Sequence, residues 1–296
     1  MSSYLTIVAL ANNPIPIELD AAFVKHVKVL GLEIARLEIQ PTHSKYFETR
    51  WTSSQVLMPE ARIAMRDIAA TFNADLAFLS PGFKSDEVKV LAMDMDSTLI
   101  NIECIDEIAD FTGMKASVSE ITEATMRGEI KDFQESLRRR VALLEGVSAD
   151  VLESVYRERL RPNPGAAELL AGANTKGIYT LLVSGGFTFF TEKLQQELGF
   201  KQTQANILEI VNGKLTGKVT GEIVDGTAKA AYLEQACSLL SCHKKNSITM
   251  GDGSNDLPMM HGSGISIAYK AKPIVKEKAD AAFDRVGLDA ALLLIA

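Results

Sequence analysis

The sequence predicts an α/β protein: a doubly wound parallel sheet carrying an inserted helical cap, preceded by a smaller α+β unit. Three observations lead there. From Val88 onward, short apolar runs alternate with helical or mixed segments, the pattern of a parallel sheet covered on both faces. The first two of those runs are separated by residues 101–163, far more chain than one crossover helix needs. Ahead of them, a separate stretch orders its elements as strand, helix, strand, strand, helix, strand.

In the first unit, apolar runs at Tyr4 to Leu10, Leu32 to Ile39 and Ala74 to Leu79 predict strands, and a further strand is expected through Tyr46 to Trp51. Helical periodicity covers Leu19 to Leu30 and Pro59 to Phe72. Turn-forming residues accumulate at Ser80-Pro81-Gly82, which divides the chain into 1–82 and 83–296. The element order of 1–82 is that of a ferredoxin-like module and resembles the small regulatory ACT domain. Its first turn, Asn12-Asn13-Pro14-Ile15-Pro16, lacks the glycines with which such domains approach an amino-acid ligand. The expected role is therefore packing or homodimer formation.

In the second unit, Val88 to Met93, Tyr179 to Val183, Ser247 to Met250 and Ile265 to Ala268 predict strands. The insertion at 101–163 is helical over Ile105 to Phe111 and Phe133 to Leu144 and forms the cap, leaving 83–100 and 164–296 as the core. Asn212-Gly213 between apolar flanks predicts a β-hairpin within Ile207 to Val219.

Composition narrows the function classes. At 296 residues, with 47% hydrophobic and 23% charged, the chain is long enough for two units and ordinary for a soluble globular protein. A net charge of -7, with no basic cluster interleaved with aromatics, argues against a nucleic-acid partner. No basic segment precedes an apolar run at the N-terminus and no stretch is long enough to span a bilayer, so a cytoplasmic protein is expected. Cys104, Cys237 and Cys242 make no CxxC pair and are odd in number, suggesting neither a zinc site nor a disulfide framework.

The chemistry lies at strand ends. Val90-Leu91-Ala92-Met93 ends in Asp94-Met95-Asp96, two carboxylates one residue apart, where open parallel sheets bind ligands. Alone, that pair could equally be an Asx turn. A second strand ends in Gly251-Asp252-Gly253-Ser254-Asn255-Asp256, an acidic loop whose glycines let carboxylates approach a hard cation. A third ends in Ser184-Gly185-Gly186, which is either a glycine turn or a hydroxyl with exposed amides suited to an anionic oxygen. Lys229 opens a helical segment, where a lone lysine is usually solvated.

In this order, the four elements resemble the motifs of the haloacid dehalogenase superfamily from Val88 to the C-terminus, which implies a haloacid dehalogenase-like core. More narrowly, Asp94 to Ile100, Asn101 to Ala109, Phe133 to Val141 and Val183 to Phe187 resemble the phosphoserine phosphatase family. The resemblance implies Mg2+-dependent hydrolysis of O-phosphoserine, a small-molecule substrate, as the last step of serine biosynthesis. Asp94 is the implied nucleophile, forming a phosphoaspartate, and Asp96 the general acid and base. Asp94, Asp252 and the backbone carbonyl of Asp96 are implied metal ligands. Ser184, Gly185 and Lys229 are expected to hold phosphate oxygens, with Asn255 and Asp256 orienting the lysine and the metal's waters. In the cap, Glu103 is expected to meet the substrate ammonium and Arg140 its carboxylate, while Met126 and Phe133 exclude water. Without the resemblance, Arg138, Arg139 and Arg140 read as a solvated helix face and Met126 and Phe133 as core. Other readings remain: a phosphatase or phosphotransferase for another small phosphomonoester, or an amino-acid-binding regulatory protein.

Overall fold

A computed structural model of the protein describes residues 5–38, 45–126, 130 and 132–295, with the backbone alone at 123, 125 and 126. Its strands are β1 (Leu5–Ala11), β2 (Ala35–Leu37), β3 (Phe47–Ser53), β4 (Asp75–Leu79), β5 (Val90–Met93), β6 (Tyr179–Phe187), β7 (Gln202–Val211), β8 (Lys214–Thr220), β9 (Ser247–Gly251), β10 (Ile265–Tyr269) and β11 (Ala281–Phe283). The helices are α1 (Glu18–Val29), α2 (Pro59–Thr71), α3 (Cys104–Phe111), α4 (Lys115–Met126), α5 (Phe133–Ala142), α6 (Asp150–Ser154), α7 (Ala166–Thr175), α8 (Thr188–Leu198), α9 (Gly226–Leu239), α10 (Leu257–Met260) and α11 (Pro273–Lys278).

The described strands form one sheet in the order β2-β3-β1-β4-β11-β10-β9-β5-β6-β7-β8. From β11 to β7 neighbours run parallel, and the 214–220 strand closes that end as an antiparallel hairpin. Successive side chains on a strand point to opposite faces, so a sheet covered on both sides needs apolar residues at every position. Accordingly Val90 and Ala92 pack with Leu233, Ala236 and Cys237 beneath α9. Leu91 and Met93 join Leu169, Leu170 and Phe190 from α7 and α8. At the hairpin, Asn212 (φ 52°) and Gly213 (φ 75°) both occupy the left-handed region that a tight two-residue turn demands.

The first four strands have the order and antiparallel directions of the split βαβ module. Three features depart from the sequence expectation. Strand β2 is a short exposed edge of three residues; Leu32 and Ile34 pack against the core before it begins, and Ile39 lies outside the described residues. Ser184-Gly185-Gly186 is not a turn: β6 runs on to Phe187, and a register shift against β7 between Val183 and Phe187 accommodates the glycines. Strand β11, too short and alanine-rich to stand out, joins the two units by lying antiparallel to β4, with Ala281 opposite Ala77 and Ala282 opposite Leu76.

The insertion carries α3, α4, α5 and α6, and its two connections to the core are held together. Ile100 and Pro162 form a β-bridge, and the buried Asn163 side chain donates to the carbonyls of Thr98 and Ile100, each at 2.9 Å. Among the described residues no helix is long and apolar enough to cross a membrane.

Candidate active site

Strands β5, β6 and β9 are adjacent and parallel, so their carboxyl ends converge. The Asp94 amide donates to the Met250 carbonyl at 3.0 Å, extending the β5–β9 pairing by one residue and setting Asp94 beside Gly251. The chain then makes one wide turn through Met95–Leu99 in which Ser97 adopts φ 56°, a left-handed conformation that a non-glycine residue rarely takes. That turn returns Asp96 toward the sheet and delivers the Ser97 hydroxyl to Glu103 Oε1 at 2.6 Å.

Beyond β9, the acidic loop is organised by Asp256. Its Oδ2 accepts from the amides of Asp252 (3.1 Å) and Gly253 (3.0 Å), and its Oδ1 accepts from Lys229 Nζ at 2.7 Å. A Cβ on Gly251 would lie 2.5 Å from that carboxyl group, so the close approach requires glycine. Lys229 sits in the first turn of α9, whose start is capped by Asp225 through the amides of Thr227 and Ala228, both at 3.0 Å. Far from solvated, Lys229 is fully buried, and its Nζ also lies 2.7 Å from Asp94 Oδ1.

Electrostatics follow from this crowding. Burial pushes the Asp94 carboxyl well above its ordinary range; the neighbouring Asp256 charge adds to the rise and Lys229 opposes it. For Lys229, burial favours the neutral amine, but the carboxylates of Asp256 and Asp94 prevail and hold it above its ordinary value. Asp252 is pushed up to about 7 by burial and then by Asp256 and Glu103. Asp96 rises to about 8, again through burial first and Glu103 second, while the Cys104 amide 3.3 Å from its Oδ1 works against the shift.

The ligand oxygens of Asp94, Asp252 and Asp256 lie within 4.8 Å of one another. Such buried carboxylates suit a hard divalent cation. They are not equivalent, however. Both Asp256 oxygens are engaged by Lys229 and the loop amides, which leaves Asp94 and Asp252 as the carboxylates able to ligate; Thr98 Oγ1 donates to Asp252 Oδ1 at 3.3 Å.

A cavity of about 890 Å³ opens above this floor, with Asp94, Asp96, Ser184, Gly185, Asp252 and Asn255 on the core side and Glu103, Phe133 and Arg140 on the cap side. Lys229 and Asp256 lie beneath it. Of the three consecutive arginines, Arg138 and Arg139 face solvent and Arg140 alone turns inward, because a helix advances about 100° per residue. Phe133 sits over Gly185, where an added Cβ would come 3.0 Å from its ring. The Met126 side chain lies outside the described residues. Gln134 Nε2 donates to Asp225 Oδ2 at 2.8 Å, tying the cap to the helix that carries Lys229.

Several contributors escaped the sequence reading. Asn206, buried on β7, donates to the Gly185 carbonyl at 2.8 Å and accepts from the Val224 amide at 2.9 Å, fixing the glycine segment from outside any motif. Ser97 and Thr98 were legible as part of the acidic turn, but not as partners of Glu103 and Asp252. Lys272, exposed at the cavity mouth, donates its amide to the Asp252 carbonyl at 3.0 Å.

Carboxylates at the ends of adjacent parallel strands, a buried lysine and a helical lid define a hydrolase class. The chain belongs to the haloacid dehalogenase-like hydrolases, whose family profile matches residues 91–261. Its relatives are narrower in kind. It is 53% identical over 220 residues to the phosphoserine phosphatase of Polaromonas sp. (strain JS666), covering 73% of this chain and 93% of the relative. Among solved structures, an unliganded probable phosphoserine phosphatase from Vibrio cholerae is similar with a TM-score of 0.77 at 32% identity, covering 98% of this chain and 86% of that one. A substrate-bound phosphoserine phosphatase complex is similar with a TM-score of 0.66 at 37% identity, covering 71% and 99%.

Proposed function

We propose that the protein is a phosphoserine phosphatase that hydrolyses O-phosphoserine to serine and phosphate through an aspartyl phosphate. The observation that carries this reading is one cavity with phosphoryl-transfer groups on its floor and a carboxylate and a guanidinium, Glu103 and Arg140, in its roof. A substrate bearing phosphate, ammonium and carboxylate matches those three regions.

In this reading, Asp94 attacks phosphorus and the bond to the serine oxygen breaks. Asp96, whose raised pKa keeps it protonated near neutrality, gives its proton to the departing oxygen. The resulting carboxylate then takes a proton from water, which attacks the aspartyl phosphate and frees Asp94. Two of the three Lys229 N–H groups are committed to Asp94 and Asp256, which leaves the third to donate to a phosphate oxygen. Ser184 Oγ accepts from the Gly186 amide at 2.9 Å and so keeps its own hydrogen for donation. Asp94, Asp252 and the Asp96 carbonyl would hold Mg2+, which when bound offsets the repulsion between carboxylate and phosphate. We place catalysis in residues 83–296, since every group named lies there, and the protein in the cytoplasm.

The test is phosphate release from a panel containing O-phospho-L-serine, O-phosphothreonine and sugar phosphates, with magnesium present or chelated. Metal-dependent preference for phosphoserine is expected. Preference for another ester would remove the roles given to Glu103 and Arg140, and no release at all would remove the enzyme.

A further inference from the structure

Glu103 and Arg140 bring opposite charges into the same cavity, and a direct pair between them would neutralise both groups that the substrate needs. Glu103 is held from one side by the Ser97 hydroxyl. The hydrogen bond described for the Arg140 guanidinium runs from Nε to the Ser136 carbonyl at a long 3.4 Å, which leaves its planar fork weakly anchored.

Asp106 lies one turn beyond Glu103 on α3 and lines the same cavity. Its Oδ1 is buried and has no hydrogen-bond partner among the described residues. A buried carboxylate oxygen left unpaired is costly, so its position calls for a cationic partner. The carboxylates acting on Arg140 are Asp106, then Glu103, then Asp96, so Asp106 is the strongest anion facing it. Arg140 in turn is the leading cation acting on Asp106, ahead of Lys115.

No ion pair joins Asp106 and Arg140 among the described residues; we propose that Asp106 is the positioning residue for Arg140, drawing the inner edge of the guanidinium toward its unpaired Oδ1 when substrate binds, keeping it off Glu103 and turning the outer N–H groups toward the carboxylate of the substrate. Arginine has five donors in a fixed fork, enough to serve Ser136, Asp106 and a substrate carboxylate together. The inference rests on the assignment of Arg140 to the substrate carboxylate.

The test compares O-phosphoserine with O-phosphoethanolamine, which keeps the phosphate and ammonium and lacks the carboxylate. Asp106→Asn should raise KM for phosphoserine about tenfold with kcat changed less than about twofold, and should move KM for phosphoethanolamine less than about twofold. Asp106→Glu should recover most of the loss, and Asp106→Asn should add nothing further in an Arg140→Ala background. Equal loss on both substrates would assign Asp106 to the ammonium or to folding, and no loss on either would remove its role. Arg140→Ala separates the two levels. If it impairs both substrates equally, the assignment of Arg140 falls and this inference with it; if it is selective for phosphoserine and Asp106→Asn is not, only the inference falls.

Discussion

Replacing Lys229 by methionine keeps most of a buried stem and removes only its charge. In the native protein that charge lies 2.7 Å from carboxylate oxygens of both Asp94 and Asp256, with no solvent access to the lysine. Breaking a buried pair by deleting one partner costs about 3–5 kcal/mol, since the remaining charges stay desolvated. The sign of the pH dependence follows from Asp94. Its folded pKa already lies above the ordinary 3.8, and loss of the opposing lysine raises it further. The folded state then binds more protons than the unfolded chain, so this contribution is least costly in acid and destabilises as pH rises, by up to about 1.4 kcal/mol per unit, until the folded pKa is passed. Urea unfolding of wild type and Lys229→Met with metal chelated should therefore give a deficit of about 3–5 kcal/mol near neutrality that shrinks toward about pH 5. A divalent cation should recover part of it by supplying the missing positive charge. A deficit below about 1 kcal/mol that does not vary with pH would refute the view that Lys229 anchors these carboxylates.

Asp252→Asn should raise the magnesium concentration for half-maximal phosphatase activity by about tenfold or more; saturation like the wild type would exclude Asp252 as a ligand. Because the Asp252 carboxyl is pushed up to about 7, metal and proton compete there, and the dissociation constant for magnesium should rise as pH falls below that value, by up to tenfold per unit. Calorimetric titration showing no pH dependence would count against that competition. Gly186→Ala would place a Cβ 2.8 Å from Asp96 Oδ2 and from Cε of the buried Met95, displacing the Asp96 carboxyl, so kcat should fall at least about a hundredfold while circular dichroism is retained. Near-native turnover would show that Asp96 has room to move without penalty.

What the sequence reveals here, and what it hides, follows from distance along the chain. Asp94 with Asp96, and Asp252 with Asp256, are neighbours in sequence at the ends of apolar strands, so the strand pattern alone brings them to one edge of the sheet. Arg140 is set apart from Arg138 and Arg139 by the family resemblance alone, because helix phase selects one arginine only relative to a core whose direction the sequence does not specify. Asn206 carries no motif, and its two partners lie 21 and 18 residues away on different elements. The Asp106 and Arg140 relation needs α3 and α5 to face one cavity, although the two residues lie on different helices of the cap. Strand β11 was hidden for a different reason: three small or aromatic residues give no periodicity, and only the partner strand β4, some two hundred residues earlier, makes them a strand.

That pairing has a mechanical consequence. Beyond the β4–β11 ladder, Val8, Leu10 and Leu79 belong to the same apolar cluster as Phe283, Leu288 and Leu293. The buried Asp75 on β4 accepts from the amides of Asp284 (3.0 Å), Arg285 (2.7 Å) and Val286 (3.0 Å). With backbone, apolar face and a buried carboxylate all shared, neither unit can lose its structure without stripping the other, and heating should melt them in one cooperative step. A chain cut before Ser80 would bare an unpaired strand edge flanked by Ala281, Ala282 and Phe283, the kind of surface that recruits other chains. Inactivity of such a truncated enzyme would then report self-association, not the loss of a regulatory input.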